Sequence, residues 1–304
     1  MPKICYVQKR FSTGSKSIIN KANEIIDEYV AQGFDLTLRQ IYYQFVARDI
    51  LPNSLKSYKN LGSIINDARL AGLIDWLRIT DRTRNLRGNS HWETPDDVIR
   101  AAADSYRIDM WAKQDYRPEV WIEKDALVGV IEGVCSELDV PYFSCRGYTS
   151  QSEMWIGARR MEHWIKTKNP AKSQIPIVFH FGDHDPSGKD MTRDIKDRLE
   201  LFMGGVRLER LALNMDQIDQ YHPPPNPAKT TDARAEAYIA EFGEDSWELD
   251  ALEPGVIVDL IRTHIERLQD KDQWQTDLDR HQSEKALLTQ AADRWGEIKD
   301  FLEE

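Results

Sequence analysis

Three acidic residues directly follow apolar segments that have the composition of buried strands. Glu123 lies near the end of the segment EVWIEK, and Asp183 and Asp185 come just after IPIVFHF. In an extended chain residues two apart point the same way, so both aspartates can face one point. Converging carboxylates repel one another unless a cation is present, and hard oxygen ligands at an open site suit Mg2+ or Mn2+. The sequence therefore predicts a metal site that could stabilise charge on a phosphoryl group.

The same residues allow two other interpretations. Asp185 precedes Pro-Ser-Gly, which is also typical of a turn and a helix N-cap. An Asp-x-Asp pair also supplies the nucleophile of some phosphatases, but there it follows the first strand and has Thr or Val two residues on. Here Ser187 fills that place and Glu123 comes first, which disfavours a phosphatase. The capping role of Asp185 stays open.

A tyrosine on an amphipathic segment is a candidate nucleophile. One stripe at helical spacing is apolar and should be buried: Leu38, Ile41, Tyr42 and Phe45. Tyr43 is rotated about 100° from that stripe and shares its face with Arg39. We expect Tyr43 to be exposed, so that its oxygen could attack a phosphodiester while Arg39 steadies the phosphate. The alternative is a surface tyrosine with an arginine against its ring.

The elements around these residues fall into three regions. Helical patterns over 15–31, 37–49 and 55–71, a short strand at 73–79 and an arginine-rich loop have the order of a winged helix. After a connecting helix near 95–106, strands alternate with helices, which predicts an α/β domain with a parallel sheet. YHPPPNP is a break before a helical end. The last stretch of the chain has a heptad-like apolar seam, which could pack on its own domain or self-associate. The seam consists of Leu288, Ala291, Trp295, Ile298 and Leu302.

The charge distribution is uneven. The chain carries a net charge of -11, yet the segment 36–90 is +5 and the remainder is -16. A local basic face on an acidic protein is expected of a module that contacts DNA phosphates, although an unevenly charged solvated surface is an alternative. The predicted DNA contacts are Lys56, Lys59 and Arg69 on the third helix and Arg82, Arg84 and Arg87 in the loop.

Cysteine usage and hydropathy exclude other classes of site. The three cysteines are far apart and have no zinc spacing, which indicates a reducing compartment. No apolar run approaches the roughly 20 residues needed to span a bilayer, and the start of the chain lacks a signal-peptide core. We expect a cytoplasmic, DNA-associated protein with no membrane partner.

Two motifs resemble known families. VWIEKDA, CRGY and FGDHDPSG, in this order, resemble the Toprim domain of topoisomerases, primases and some nucleases, although Thr149 stands where the family has a proline. LTLRQIYYQF resembles the Arg-x-x-Tyr-Tyr signature of the topoisomerase VI A subunit and its relatives that make meiotic double-strand breaks. The resemblance implies a winged-helix domain over 1–110, a Toprim domain of Rossmann-like parallel sheet over 115–225, and C-terminal helices over 226–304.

The same resemblance implies roles for residues. Tyr43 would be the nucleophile of a Mg-dependent DNA-cleaving transesterase and Arg39 would assist it, forming a 5'-phosphotyrosyl link. Glu123, Asp183 and Asp185 would bind the metal, while the segment WELDAL, with Glu248 and Asp250, is given no role. A homodimer is implied, in which one protomer's tyrosine meets the other's metal, and strand passage would need a separate GHKL-type ATPase B subunit. Two alternatives remain: a Toprim nuclease that uses activated water, and a non-catalytic DNA-binding protein.

Overall fold

Three helices form over residues 13–70, as predicted. The computed structural model describes residues 3–79, 91–168, 173–228, 232 and 234–303. The helices are α1 (Thr13–Ala31), α2 (Leu38–Ala47) and α3 (Leu55–Leu70). Side-chain caps begin each of them: Ser12 and Ser54 accept from backbone N–H groups, and Thr37 forms a capping box with Gln40. Their apolar faces enclose one cluster of buried side chains between Ile19 and Ile79, which Ala251 joins from the other end of the chain.

The strand predicted at 73–79 is wrong. This segment forms turns, with one isolated backbone bridge between Leu36 and Ile79. The Asp75 carboxylate accepts a hydrogen bond from the Leu77 N–H at 2.9 Å, a local bond that competes with strand pairing. The arginines predicted for the loop, Arg82, Arg84 and Arg87, lie outside the described residues.

A four-stranded parallel sheet forms the centre of the protein, as predicted. Its strands are β1 (Tyr116–Ile122), β2 (Tyr142–Ser144), β3 (Ile175–Phe181) and β4 (Arg207–Ala212), in the order β2-β1-β3-β4. The crossovers are α5 (Val128–Glu137), α6 (Gln151–Lys168) and α7 (Pro186–Phe202), after a connecting helix α4 (Pro95–Ser105). The central strands β1 and β3 are almost entirely buried because helices cover both faces of the sheet.

Alternate residues of β3 serve the two sides of the sheet. Ile177, Phe179 and Phe181 belong to the core on one side, and Val178 belongs to the core on the other. The register pairs Ile122 with Phe181, so the two central strands end at the same level. The residues that follow them therefore start side by side at one edge of the sheet.

The remainder of the chain is not helical alone, which corrects the expectation for 226–304. The helices are α8 (Met215–Tyr221), α9 (Ala235–Phe242), α10 (Pro254–Glu266), α11 (Lys271–Asp293) and α12 (Trp295–Glu303). Between them an antiparallel pair forms from β5 (Asn226–Pro227) and β6 (Asp245–Ser246). This pair carries the chain back to the carboxyl edge of the sheet, where Trp247 pairs with His184.

The C-terminal seam is partly covered. Leu288, Ala291, Trp295 and Ile298 are half-buried, whereas Leu302 is exposed. Self-association through this seam stays a prediction. None of the helices in the described part of the chain combines the length and the apolar composition needed to cross a membrane.

Candidate active site

Acidic residues lie at the ends of both central strands. Glu123 follows β1, and Asp183 follows β3 after Gly182. The Glu123 N–H donates to the Phe181 carbonyl at 2.8 Å, and the Asp183 N–H donates to Glu123 Oε2 at 2.8 Å. Glu123 is thereby fixed to the loop that carries Asp183, and burial raises the pKa of its carboxyl.

A second acidic segment meets Asp183 from the far end of the chain. Asp183, Glu248 and Asp250 each offer a carboxylate oxygen, and these oxygens lie within 4.8 Å of one another. We call these three residues the acidic triad. The backbones of His184 and Trp247 exchange hydrogen bonds of 2.8 and 2.9 Å, and the Leu249 N–H donates to Asp183 Oδ1 at 2.7 Å. These bonds hold Glu248 and Asp250 against the loop after β3.

The predicted metal trio is not the group that the structure gathers. Among the described residues the acidic triad is the one set of three with metal-ligand spacing, and it contains Asp183 but neither Glu123 nor Asp185. Asp185 is the N-cap of α7, and its Oδ1 accepts from the Gly188 N–H at 2.6 Å. The capping role that the sequence left open is therefore present, and it orients the Asp185 carboxylate towards the helix.

Two cations among the described residues, Lys124 and Arg39, pair with the carboxylates of the acidic triad. Lys124 Nζ lies 2.8 Å from Asp183 Oδ1 and 2.7 Å from Asp250 Oδ1, and it also hydrogen-bonds Glu248. Arg39 Nη2 lies 2.8 Å from Glu248 Oε2, and its Nε lies 2.9 Å from Asp250 Oδ2. Lys124 therefore occupies the position at which the three carboxylates meet.

The protonation of these groups reflects burial and mutual charge. Burial raises the pKa of Asp183 to about 7, because Lys124 only partly offsets the loss of water and Glu123 and Glu248 act in the same direction as burial. Burial lowers the pKa of Lys124, but the carboxylates outweigh it and hold the pKa above its usual value. Lys124 is thus an ammonium ion at neutral pH.

The loop after β3 is held from beneath by Arg210. Its guanidinium donates to the carbonyls of Gly182 at 2.9 Å, Asp183 at 2.6 Å and Gly188 at 3.0 Å. Burial lowers its pKa to about 10, so it remains charged. A side chain at Gly188 would put its Cβ 2.2 Å from the Asp183 carbonyl oxygen, much closer than van der Waals contact allows. The position of Asp183 therefore depends on glycine at 188.

Tyr43 is buried, which corrects the expectation that it is exposed. It is 4% exposed, the same as Tyr42, whose burial was predicted. The turn that contains Ala251 packs on α2 and covers the face that carries Tyr43. Helical periodicity identifies the apolar stripe of α2 but contains no information on a segment about 200 residues later that covers the other face.

Arg39 and Tyr43 lie together, as their spacing predicted. The guanidinium carbon of Arg39 is 5.9 Å from the centre of the Tyr43 ring. Burial raises the pKa of the Tyr43 hydroxyl to about 12, with Asp250 and Glu248 adding to the effect and Arg39 opposing it. The phenol is protonated at neutral pH, so a nucleophilic role requires a base.

Tyr42 is structural. Its hydroxyl accepts from the Ser54 N–H at 2.7 Å and lies 3.1 Å from Asn53 Oδ1. It therefore ties α2 to the start of α3.

An open cleft of about 430 Å³ joins the tyrosine to the acids. It lies between α2, the start of α3 and the carboxyl edge of the sheet. The lining residues that bear on chemistry are Arg39, Tyr43, Tyr58, Asp185, Trp247 and Glu248.

The predicted DNA contacts differ in their surroundings. Lys56 and Lys59 are exposed on α3. Arg69 is half-buried, and its guanidinium donates to the Trp76 carbonyl at 2.8 Å. The guanidinium carbon also lies 4.6 Å from the centre of the Trp76 ring. Arg69 therefore stabilises the 72–79 turns, and a phosphate contact by it stays a prediction.

Sequence reasoning missed Lys124, Glu248 and Asp250 as members of the site. A signal was present, because Glu248 and Asp250 have the same two-residue spacing as Asp183 and Asp185. Lys124 directly follows Glu123, at the end of a strand that was recognised. The joining of the two acidic segments depends on tertiary packing, which neither motif contains.

No family model, curated protein or solved structure matches this chain. The Toprim and topoisomerase VI A resemblance stays an expectation.

Proposed function

We propose that this chain is a metal-dependent DNA-cleaving transesterase whose nucleophile is Tyr43. One observation carries the proposal: α2 holds Tyr43 and Arg39 beside the acidic triad of the same chain, in a cleft open to a ligand. A phenol, a guanidinium and clustered carboxylates are the groups that phosphodiester transesterification needs. The winged-helix and Toprim arrangement, implied by the sequence motifs, is part of the proposal.

The proposed reaction conserves the number of phosphodiester bonds. The Tyr43 oxygen attacks phosphorus, the bond from phosphorus to the 3'-oxygen breaks, and the 5'-phosphate remains on the tyrosine. The phenolic proton passes to Glu248, which lines the cleft and acts electrostatically on Tyr43. The leaving 3'-oxygen takes a proton from solvent water and becomes a hydroxyl, and Glu248 returns its proton to the solvent, so the protons balance. Arg39 moves from the carboxylates to the phosphate and neutralises its charge.

The acidic triad would hold Mg2+ or Mn2+. Its donors are all carboxylate oxygens, the ligands that these ions prefer. Asp250 is 3% exposed, and its Oδ2 meets Arg39 as an ion pair but accepts no hydrogen bond with good geometry. This oxygen has the capacity to coordinate an ion. The bound ion would stabilise negative charge on the phosphoryl group.

Double-stranded DNA is the proposed substrate. Lys56 and Lys59 are exposed on α3, which begins at the same cleft, so they can contact phosphates that flank it. By resemblance we propose a homodimer and a separate GHKL-type ATPase for strand passage. In this chain Tyr43 lies beside the acidic triad of the same protomer, whereas the resemblance implies that the tyrosine of one protomer meets the metal site of the other.

A water-using nuclease is the second candidate. The burial of Tyr43 and its pKa of about 12 favour it, because both oppose attack by the phenol. In that case Tyr43 would only support the cleft.

Tyr43→Phe, with Tyr42→Phe as the matched control, tests the proposal. Supercoiled DNA is incubated with each protein and Mn2+, and covalent protein–DNA adducts are read on denaturing gels. We expect Tyr43→Phe to lose cleavage and adduct together. Tyr42→Phe should keep both, although losing the bond to the Ser54 N–H costs about 1–2 kcal/mol of stability.

Three other results would contradict the proposal. Metal-dependent cutting that survives Tyr43→Phe without an adduct would establish the nuclease. An adduct lost in Tyr42→Phe but not in Tyr43→Phe would identify the other tyrosine as the nucleophile. DNA binding without cutting by the unaltered protein would establish a binding role alone.

A further inference from the structure

Lys124 holds the position that a metal ion would take. Its ammonium nitrogen contacts a carboxylate oxygen of all three members of the acidic triad. A divalent ion bound by these oxygens would lie at the same point, because their mutual separations of at most 4.8 Å define one small space. An ammonium ion and a metal ion cannot both occupy it.

The ammonium is placed there by the fold. Lys124 follows β1 directly, and 15% of its side chain is exposed. Asp250, with 1% of its side chain exposed, has little access to water that could replace Lys124 as a partner. Buried carboxylates without a cation are costly, so Lys124 stabilises the folded chain when no metal is bound.

Arg39 links this arrangement to the cleft. It pairs with Glu248 and Asp250 while 45% of its side chain is exposed, so a phosphate can reach it. A phosphate that draws Arg39 away removes one of the two cations that pair with the triad. The carboxylates then attract a divalent ion more strongly.

We infer that Lys124 is a resident counter-ion that a divalent metal displaces, and that a phosphodiester in the cleft promotes this exchange. The inference rests on the metal site of the proposed function and adds its regulation. The free protein binds metal weakly, and DNA and metal bind cooperatively. By linkage each increases the affinity of the other by the same factor.

Lys124→Met tests the exchange, because it keeps the length of the side chain and removes the charge. Mn2+ binding to the full-length protein is measured by calorimetry without DNA. We expect at least tenfold tighter binding than in the unaltered protein. Lys113→Met is the matched control, because Lys113 Nζ pairs with Oδ1 of the buried Asp277 at 2.6 Å, and Asp277 is not a member of the triad. This variant should leave the Mn2+ affinity unchanged.

Thermal unfolding guards against a misfolded variant. With a chelator present, Lys124→Met should melt at a lower temperature than the unaltered protein. Added Mn2+ should raise the melting temperature of Lys124→Met by more than it raises that of the unaltered protein. If it does not fold, Lys124→Met combined with Asp183→Asn removes one positive and one negative charge together. That protein should still gain Mn2+ affinity over Asp183→Asn alone.

A duplex oligonucleotide provides the second readout. In Tyr43→Phe, where no adduct forms, the duplex should tighten Mn2+ binding at least tenfold, and Lys124→Met should reduce this gain.

Equal Mn2+ affinity with and without Lys124, or no effect of the duplex, would overturn the exchange and leave the metal site and the transesterase standing. Absence of Mn2+ binding in every protein would overturn the metal site as well.

Discussion

Gly188→Ala would create the closest contact of any added Cβ among the described glycines. Gly188 is the third residue of α7, and a Cβ there would lie 2.2 Å from the carbonyl oxygen and 3.0 Å from the carbonyl carbon of Asp183. Both atoms are backbone, so no side-chain rotation relieves the overlap. The loop from Asp183 to Gly188 must move, and Asp183 with it.

The expected change in stability follows from three contributions. Overpacking against backbone should cost about 3 kcal/mol, the upper end of the range for added methylene groups. Displacing the Gly188 N–H weakens the cap to Asp185, which costs about 1 kcal/mol. Alanine in place of glycine in a helix returns up to about 1 kcal/mol. We expect a net loss of about 3 kcal/mol.

Gly255→Ala is the matched control. Gly255 lies in the first turn of α10, as Gly188 lies in the first turn of α7, and nothing lies within 4 Å of its added Cβ. This variant should be unchanged or more stable by up to about 1 kcal/mol. Urea unfolding gives both free energies, and Mn2+ titration should show loss of metal binding in Gly188→Ala alone. Equal stability of the two variants would refute the argument, because the loop would then relax without cost.

Two further predictions concern surface charge and pH. Replacing Lys56 and Lys59 by Gln should reduce the steepness of log DNA affinity against log salt concentration by up to about 2, since each phosphate contact contributes about 0.9. The control Lys271→Gln, at an exposed lysine of α11, should leave this slope unchanged. An unaltered slope in the double variant would argue against α3 as the DNA-binding helix. His180 is fully buried and burial lowers its pKa to about 3, so the unfolded chain takes up a proton first and stability should fall as pH drops below about 6.5. Between pH 7 and pH 5 the protonation of this histidine in the unfolded chain should lower the free energy of unfolding by about 2 kcal/mol. His180→Gln should lack this loss when its unfolding is measured at the two pH values. An identical pH profile in the variant would contradict the prediction.

The sheet and most helices could be predicted because their signals are local. β1 ends in the apolar run Val-Trp-Ile, β3 is apolar except for His180, and both strands are almost entirely buried. Glu123 follows β1 directly and Asp183 follows β3 after Gly182, so their meeting at one edge follows from parallel pairing. The strand at 73–79 failed because Asp75 bonds the Leu77 N–H instead, a contact that composition does not reveal.

The rest of the site depends on contacts that no local pattern contains. Glu248 and Asp250 reach Asp183 through the pairing of Trp247 with His184. The same segment covers Tyr43, so its burial could not be predicted from α2 alone. Asp185 could be assigned to two roles by its residue type, and only the bond to the Gly188 N–H distinguishes them.

The dispersal of the site along the chain has a consequence for its synthesis. Arg39 and Glu248 are 209 residues apart, and Lys124 and Asp250 are 126 apart. A ribosome releases the amino end first, so the helices that carry Tyr43 and the sheet that carries Asp183 emerge well before the turn at Leu249–Ala251. Until that turn leaves the ribosome the growing chain has Tyr43 and Asp183 without Glu248 and Asp250. The DNA cleavage proposed above would thus be withheld from every copy that ends before residue 251.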